Sequence, residues 1–304
     1  WVRVINAFNK GTQSSILVAN LKIFMEYKET IPEDYGGIMP DDKIQSIEFR
    51  NVSFSYDGIK NVVKDLSFVI DGNKRMVLVG HNGAGKTTIV KLLLRLYDPT
   101  EGEVLVNGIN IKEYNLKAYR KLFACAFQDG VLFPGTVKHN ILMGREGSDE
   151  EVICALKQAG VYEKIESFKE GINTQLTKEF IQSGEILSGG ETQKVVVARA
   201  FAAGAPAVIF DEPSSALDPI AENELFMSIL EATKHKAALL ISHRLSCVKD
   251  ADYVLMLEQG QIIERGTHDS LMELSGKYAA MYRMQEKNYF AQDAEDMEGY
   301  AYEQ

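Results

Sequence analysis

The most constraining feature of the sequence is a short apolar run that leads directly into a glycine-rich loop. Residues 76–79 read Met-Val-Leu-Val, and residues 80–87 read Gly-His-Asn-Gly-Ala-Gly-Lys-Thr. An all-apolar run of this length is typical of a strand buried on both faces of a parallel sheet. The loop fits the pattern GxxxxGK[ST], whose backbone N–H groups converge on phosphate oxygens at the start of a helix. The order of strand, loop and helix predicts an α/β domain that binds a nucleotide.

Within this loop, the residue types indicate separate tasks. The ammonium group of Lys86 can reach the β- and γ-phosphates of a nucleotide, and the hydroxyl group of Thr87 can ligate Mg²⁺. His81 is expected to contribute only its backbone. The predicted phosphate-binding set also contains Gly80, Asn82, Gly83, Ala84, Gly85 and Thr88.

A second apolar run, residues 208–210, ends in two carboxylates, Asp211 and Glu212. Taken alone, such a pair can simply cap the end of a strand. With a phosphate-binding loop upstream, Asp211 is predicted to hold Mg²⁺ and Glu212 to polarise an attacking water molecule.

A second glycine-rich segment, Leu-Ser-Gly-Gly-Glu at residues 187–191, precedes a helical pattern. Its glycines allow close backbone approach, Ser188 offers a hydroxyl group, and the N-terminus of a helix attracts an anion. Ser188 followed by Glu191 also fits a capping box, and the two interpretations are compatible. A chain with two such loops could bind a nucleotide from two sides.

Composition limits the classes of partner. The net charge of −10 over 304 residues argues against broad binding of nucleic acid, which needs a basic surface. The three cysteines form no CxxC pair, so a disulfide or zinc framework is not expected and a reducing cytosol is the default. No uninterrupted apolar run reaches the ~18 residues of a membrane span. Since the sequence begins at Trp1, we interpret it as a fragment or an excised domain.

Shifts in composition divide the chain into segments. Apolar residues at helical spacing predict a helix within residues 1–30, and residues 31–45, with two prolines and two glycines, are predicted to be a linker. Strand-like runs at 47–49, 52–56 and 66–70, a helix over 88–96 and a hairpin over 254–264 are predicted in the α/β core. The predicted segments are the N-terminal helix at 1–30, the linker at 31–45, the core at 46–285 with a helical insertion at about 135–203, and an acidic tail at 286–304.

In their order along the chain, these motifs resemble the nucleotide-binding domain of ATP-binding cassette (ABC) transporters. The resemblance covers about residues 46–285 and rests on seven ordered motifs. It implies a P-loop NTPase core with a mixed sheet flanked by helices, an antiparallel β part and a helical signature-motif subdomain. The matching positions are Tyr56 (the A-loop aromatic that stacks on adenine), 80–87 (Walker A), Gln128 (the Q-loop), 187–191 (the signature), Asp211 and Glu212 (Walker B and the general base), 215–218 (the D-loop) and His243 (the switch histidine).

The resemblance also implies a mechanism. Two copies pair head to tail, and each ATP lies between Walker A of one copy and the signature of the other. A homodimer is favoured because both motifs look competent, although a heterodimer is possible. In this family's scheme Mg²⁺ is held by Thr87, Gln128 and Asp211, the catalytic groups are Glu212, His243, Lys86 and Gln128, and the partner's ATP is contacted by Ser188, Gly189, Gly190 and Asp218.

The subtype resembles exporters, through residues 131–137 with Asn140 and through Gly266-Thr267-His268. The N-terminal helix then resembles the cytoplasmic end of a last transmembrane helix, which implies a transmembrane domain upstream and a place at the cytoplasmic face of the cell membrane. Alternatives are a separately encoded ATPase subunit, with a peripheral helix at 1–30, and a non-transport ABC ATPase. The sequence departs from the family at Glu191, where glutamine is commonest, and at 179–184, which match the exporter X-loop only loosely.

Overall fold

The computed structural model describes residues 15, 17–26, 31, 36–178, 184–243 and 248–287. The chain divides into two units, residues 1–34 and 35–304. In the first unit, residues 17–25 are helical, as the spacing of apolar residues predicts, and Leu17, Leu21 and Phe24 are exposed. None of the described helices combines the length and the apolar composition that a membrane crossing requires.

The centre of the second unit is a sheet of six described strands in the order β12-β11-β3-β10-β9-β6. All neighbours are parallel except β11 and β12, which form the predicted hairpin. The strands are β3 (Arg75–Val79), β6 (Phe123–Ala126), β9 (Ala207–Asp211), β10 (Ala237–Ile241), β11 (Tyr253–Glu258) and β12 (Gln261–Gly266).

Side chains on the two faces of this sheet belong to two separate apolar clusters. Val77 and Val79 of β3 face one cluster, together with Val208 of β9. Met76 and Leu78 face the other. Because both faces are covered, the central strands are apolar along their middle, at 76–79, 207–210 and 237–241, and they read as continuous apolar runs rather than as alternating ones.

An antiparallel sheet covers one face, with the order β2-β1-β4-β5. The predicted runs at 47–49 and 52–56 form one strand that ends at Phe54, two residues before Tyr56, and its pairing with both neighbours contains register shifts. β4 and β5 were not predicted, because β4 has no alternation of exposed and buried residues and β5 is only two residues long. The strands are β1 (Ser46–Phe54), β2 (Val63–Asp71), β4 (Glu101–Val106) and β5 (Ile109–Asn110).

The first helix of the unit follows the glycine-rich loop, and its predicted bounds of 88–96 were wrong at both ends. It begins at Lys86, directly after Gly85, and ends at Leu93, because Arg95 has a left-handed φ of 48°. The helices are α1 (Lys86–Leu93), α2 (Leu116–Arg120), α3 (Val137–Leu142), α4 (Asp149–Gln158), α5 (Tyr162–Glu166), α6 (Gly189–Ala202), α7 (Pro219–Ala232) and α8 (His268–Leu274). Residues 277–287 are also helical.

The stretch predicted to be a helical insertion, about 135–203, contains α3 to α6 and a small two-stranded sheet of β7 (Gly135–Thr136) and β8 (Gln175–Leu176). Val152, Ile165 and Val195 of this part are fully buried in the same apolar cluster as Val77. The insertion is therefore packed continuously with one face of the central sheet.

The turn between β11 and β12 supports the glycine-rich loop. The N–H of Gly260 donates to the carbonyl of Ala84 (3.1 Å), and the carbonyl of Gly260 accepts from the N–H of Lys64 (2.9 Å). Gly260 has a φ of +81°, and an added Cβ would lie 2.3 Å from the carbonyl oxygen of Val62. Only glycine fits this close approach.

We expect Gly260→Ala to lower the free energy of unfolding by about 2–4 kcal/mol, because left-handed strain adds to a backbone clash. The matched control is Gly58→Ala, since Gly58 has a similar φ of +72° but no atom within 4 Å of its added Cβ. Gly58→Ala should lower the free energy of unfolding by only ~1 kcal/mol, because it adds backbone strain without a clash. Urea unfolding of both variants measures the difference, and equal losses would contradict the importance of the close approach.

Candidate functional site

The glycine-rich loop 80–85 leaves the carboxyl end of β3 and enters α1. Gly80 has a φ of +149°, and a Cβ there would lie 2.3 Å from the carbonyl oxygen of Leu257 on the neighbouring β11. The N–H of Ala84 donates back to the carbonyl of His81 (3.1 Å). The loop is thus tightly folded at the N-terminus of a helix, which is the arrangement that binds phosphate.

Lys86, the first residue of α1, extends its side chain back to this loop. Its side chain is 5% exposed, and its Nζ donates to the carbonyl groups of Gly80 (2.8 Å) and His81 (3.2 Å). Nζ also lies 3.8 Å from Oε1 of Glu212. Burial lowers the pKa of Lys86, while the negative charges of Glu212 and Asp211 oppose that change. A cation is therefore held at the centre of the loop.

Asp211, at the end of β9, is an unsatisfied buried acid. The residue is 1% exposed, and neither carboxylate oxygen has a hydrogen-bond partner within the described part of the chain. Burial raises the pKa of Asp211, although the hydroxyl group of Thr87 lies close enough to lower it in part. Such a carboxylate is costly unless a cation pairs with it.

The donor set around Asp211 fits Mg²⁺. A carboxylate and a hydroxyl oxygen are hard ligands, and Mg²⁺ usually takes one or two of them together with phosphate oxygens and water. Among the residues that the structure describes, no group of three or more His, Cys, Asp or Glu side chains forms a metal site. Thr87 and Asp211 therefore suit the ion by their chemistry, and the predicted set of ligands, Thr87, Gln128 and Asp211, stays a prediction.

Glu212 and His243 lie next to each other beyond the ends of β9 and β10. Glu212 has a left-handed φ of 49°, and its N–H donates to the carbonyl of Ile241 (3.0 Å). Oε2 of Glu212 lies 3.5 Å from Nδ1 of His243, whose side chain is 43% exposed. A non-glycine residue in this conformation costs about 1–3 kcal/mol, and such strain is common at functional sites. The carboxylate thus sits between Lys86 and the histidine.

Tyr56 lies next to the first turn of α1. Its hydroxyl group is 3.2 Å from Oγ1 of Thr88, and its ring meets Tyr97 edge-on at 5.1 Å. The side chain is 46% exposed and borders a cleft of about 380 Å³. This cleft is also lined by Asp57, Lys60, Asn61, Val62, Lys64, Gly83 and Gln259. The cleft extends from the aromatic ring to Gly83 of the loop, and it offers space for a base next to Tyr56. Adenine stacking on Tyr56 stays a prediction.

Gln128 is exposed two residues beyond β6. Ala126, the last residue of β6, pairs with Phe210 of the parallel strand β9, so Gln128 follows the same edge of the sheet at which β9 ends. Its contact with Mg²⁺ remains a prediction.

The second glycine-rich segment is a capping box at the start of α6, as predicted. Oγ of Ser188 accepts from the N–H of Glu191 (3.2 Å), and Oε2 of Glu191 accepts from the N–H of Ser188 (2.8 Å). Gly189 and Ser188 are exposed. An added Cβ on Gly190 would lie 2.8 Å from the side chain of Leu217, so this segment packs against residues 215–218.

Further hydrogen bonds order the surface that residues 187–191 and 215–218 form together. Gln193 bridges the segments, since its Nε2 donates to Oγ of Ser215 (2.5 Å) and its Oε1 accepts from the N–H of Ala216 (2.8 Å). Asp218 caps α7 by accepting from the N–H groups of Ile220 and Ala221, which lowers its pKa. Ser188, Gly190 and Asp218 thus share one surface, and their contact with a nucleotide stays a prediction.

Sequence reasoning missed Gln193, because a single polar residue on a half-buried helix face does not indicate which loop it will contact. It also missed Gln285, whose Nε2 donates to the carbonyl of His243 (2.6 Å). Residues 179–183 of the loosely matched X-loop lie outside the described residues, as do 244–247.

Comparisons with known proteins agree with this geometry. A family model described as ABC transporter matches residues 63–215. An ATP-dependent lipid A-core flippase of Alcanivorax borkumensis is 40% identical over 79% of this chain and 41% of its own length. A flippase of the same name from Methylobacillus flagellatus is 35% identical over 93% of this chain and 48% of its own length. The chain therefore spans less than half the length of these curated relatives.

A solved structure is similar as well. It is described as a bacterial Atm1-family ABC exporter with ATP bound, and it matches 90% of this chain and 47% of its own chain at 33% identity, with a TM-score of 0.80. The similarity therefore extends from the sequence to the fold.

The unsatisfied carboxylate of Asp211 gives a test in the absence of ligand. Its pKa is raised in the folded state. The free energy of unfolding therefore falls as pH rises from the pKa of Asp211 in the unfolded chain through its higher pKa in the folded chain. This loss of stability persists at neutral pH. We expect Asp211→Asn to raise the Tm of the ligand-free protein at pH 7 by about 2–4 °C, or ~1 kcal/mol, while weakening Mg²⁺ binding. Calorimetry with and without Mg²⁺ measures both effects.

The matched control is Asp57→Asn. Oδ1 of Asp57 accepts from the N–H groups of Ile59 (2.8 Å) and Lys60 (3.0 Å), and these bonds lower its pKa to about 2. This substitution is not expected to raise the Tm. A Tm of Asp211→Asn at or below that of the unmodified chain would contradict the cost assigned to the buried charge.

Proposed function

Because the chain belongs to the ABC transporter family, we propose that it binds and hydrolyses ATP to power export across a membrane. The observation that carries the proposal is the convergence of Lys86, Asp211, Glu212 and His243 at one edge of the central sheet, with Glu212 within 3.8 Å of Lys86 and 3.5 Å of His243. A cation for phosphate, an acid for Mg²⁺ and a base for water are the groups that phosphoryl transfer needs.

In this proposal, the N–H groups of residues 80–87 and the ammonium of Lys86 bind the β- and γ-phosphates. Thr87 and Asp211, with Gln128, would hold Mg²⁺, which would supply positive charge to neutralise the phosphates. Tyr56 stacks on adenine across the cleft beside Gly83. The family membership and the ATP-bound exporter neighbour support these roles.

Hydrolysis then depends on the pair next to Lys86. Glu212 accepts a proton from water as the water oxygen attacks the γ-phosphorus, and the bond to the bridging β–γ oxygen breaks to give ADP and phosphate. Lys86 and His243 stabilise charge on the phosphate as it moves to the leaving group. Glu212 is assigned the role of base because its carboxylate lies at this edge, 3.8 Å from Lys86 and 3.5 Å from His243, where the γ-phosphate and the attacking water would lie.

Two such domains are proposed to act together, head to tail, as a homodimer or with a related partner. The N-terminus of α6 supports this arrangement, because Ser188 and Gly189 are exposed at the positive end of a 14-residue helix and can meet a phosphate of a second domain. Asp218 lies on the same surface. Closing and opening of the pair would move a transmembrane domain between its two states.

The transmembrane domain is proposed to lie upstream of this chain, with the ATPase at the cytoplasmic face of the cell membrane. The relatives support this, since they are about twice as long and are named as flippases. Recognition of the exported molecule is assigned to that domain. A separately encoded ATPase subunit is the second arrangement, and six hydrophobic spans upstream in the gene would exclude it.

We expect Glu212→Gln to reduce the steady-state rate of ATP hydrolysis by about 10²–10⁴-fold, because the amide cannot accept the proton of water. ATP binding should persist, and gel filtration with Mg-ATP should show a dimer. The matched control is Glu231→Gln, whose side chain is 77% exposed and distant in sequence from the site. If Glu212→Gln hydrolyses ATP at an undiminished rate, Glu212 is not the general base. If this variant stays a monomer with Mg-ATP, the result counts against the pairing of two domains.

For adenine stacking, the informative pair is Tyr56→Ala and Tyr56→Phe. Loss of the ring should raise the KM for ATP about tenfold, in line with ~1–3 kcal/mol for stacking on a base. The phenylalanine variant keeps the ring and loses only the hydroxyl contact with Thr88, so its KM should stay within about twofold of the unmodified value. An equal rise in both variants would assign the effect to the hydroxyl group instead.

A further inference from the structure

The last described helix of the chain reaches back to the catalytic pair. Nε2 of Gln285 donates to the backbone carbonyl of His243 at 2.6 Å. The same histidine places Nδ1 3.5 Å from Oε2 of Glu212. One hydrogen bond therefore joins the C-terminal helix to the residue that faces the proposed base.

This helix is fixed firmly at its start. Both oxygens of Glu264 on β12 are used, because they accept from the N–H groups of Lys277 (2.5 Å) and Tyr278 (3.0 Å). Tyr278 is fully buried, and its hydroxyl group lies 2.8 Å from Nδ1 of His268. Gln285 follows Tyr278 by seven residues, on the same face of the helix. The position of its amide is thus set by the core of the domain.

The backbone at His243, in contrast, has left the central sheet. β10 ends at Ile241, and the N–H of Ser242 makes a long bond of 3.3 Å to the carbonyl of Leu78. The carbonyl of His243 lies beyond this ladder, and the histidine side chain is 43% exposed. A partly exposed ring at the end of a strand has several accessible rotamers. A hydrogen-bond donor that fixes the peptide plane next to this ring reduces the number of rotamers that the ring can adopt.

We propose that Gln285 is a positioning residue, which holds the backbone of His243 so that the imidazole stays beside Glu212 and the γ-phosphate. The C-terminal helix thereby sets the rate of the hydrolytic step without touching ATP. This inference rests on the proposed function, because it concerns the same site. It predicts an effect on kcat and none on nucleotide affinity, since the contact that the structure gives for Gln285 is with the backbone of His243, not with the loop at 80–87 or with Tyr56.

The test uses the full chain and three substitutions at one position. Gln285→Met keeps the length and loses the donor, Gln285→Glu keeps the shape and loses the donor, and Gln285→Lys supplies a new donor. We expect the first two to lower kcat about tenfold with KM for ATP within about twofold, as for a small misplacement of a reacting group. The lysine variant should recover at least half of kcat. The matched control is Met284→Ala, on the same helix and 66% exposed, with kcat unchanged.

A double-mutant cycle separates positioning from general support of the fold. With His243→Ala in place, Gln285→Met should cause no further loss of kcat, because there is no imidazole left to position. Additive losses would overturn the inference, as would a kcat within twofold of the unmodified chain for Gln285→Met and Gln285→Glu. A loss that Gln285→Lys does not restore would also overturn it.

The outcome is distinguishable from failure of the proposed function. If the unmodified chain and Glu212→Gln hydrolyse ATP equally, the base assignment fails whatever Gln285 does. If Glu212→Gln is inactive and every Gln285 variant is fully active, only the positioning role fails. Thermal unfolding of each variant shows that the domain is folded during the comparison.

Discussion

The site depends on the parallel register of three neighbouring strands. Leu78 of β3 pairs with Ile241 of β10, and Ile241 pairs with Asp211 of β9. Because parallel strands end at the same edge, this register places the loop after β3, the acids after β9 and the histidine after β10 side by side. A shift of one residue in β10 would turn its side chains to the opposite faces and separate the groups that have to meet.

The same edge is the costly part of the fold. Asp211 is buried without a hydrogen-bond partner among the described residues, Lys86 has a desolvated ammonium, and Glu212 has a left-handed backbone. Each feature opposes folding in the absence of ligand. The two apolar clusters on either face of the sheet offset the cost, and bound nucleotide with Mg²⁺ would remove much of it. The features that destabilise the ligand-free fold therefore lie where phosphate has to bind.

Particular elements show how far sequence reasoning reached. The hairpin over β11 and β12 and the capping box at Ser188 were predicted from local patterns and are confirmed, because each depends on residues within a few positions of one another. The bounds of α1 were wrong, since the left-handed turn at Arg95 leaves no mark in composition. The contact between Gln193 and Ser215 could not be predicted from the sequence. It joins a helix to a loop, and the distance between the two is set by tertiary packing.

The sequence by itself determined which chemical groups the site contains and the order of strand, loop and helix that carries them, because glycine, lysine and acid spacing follow from short-range geometry. Only the tertiary structure decided that the carboxylate of Asp211 has no hydrogen-bond partner among the described residues, that Glu212 lies between Lys86 and His243, and that Gln285 reaches the histidine backbone. These facts depend on how strands far apart in the chain pair and on which side chains then lose contact with water, and neither is encoded at any single position.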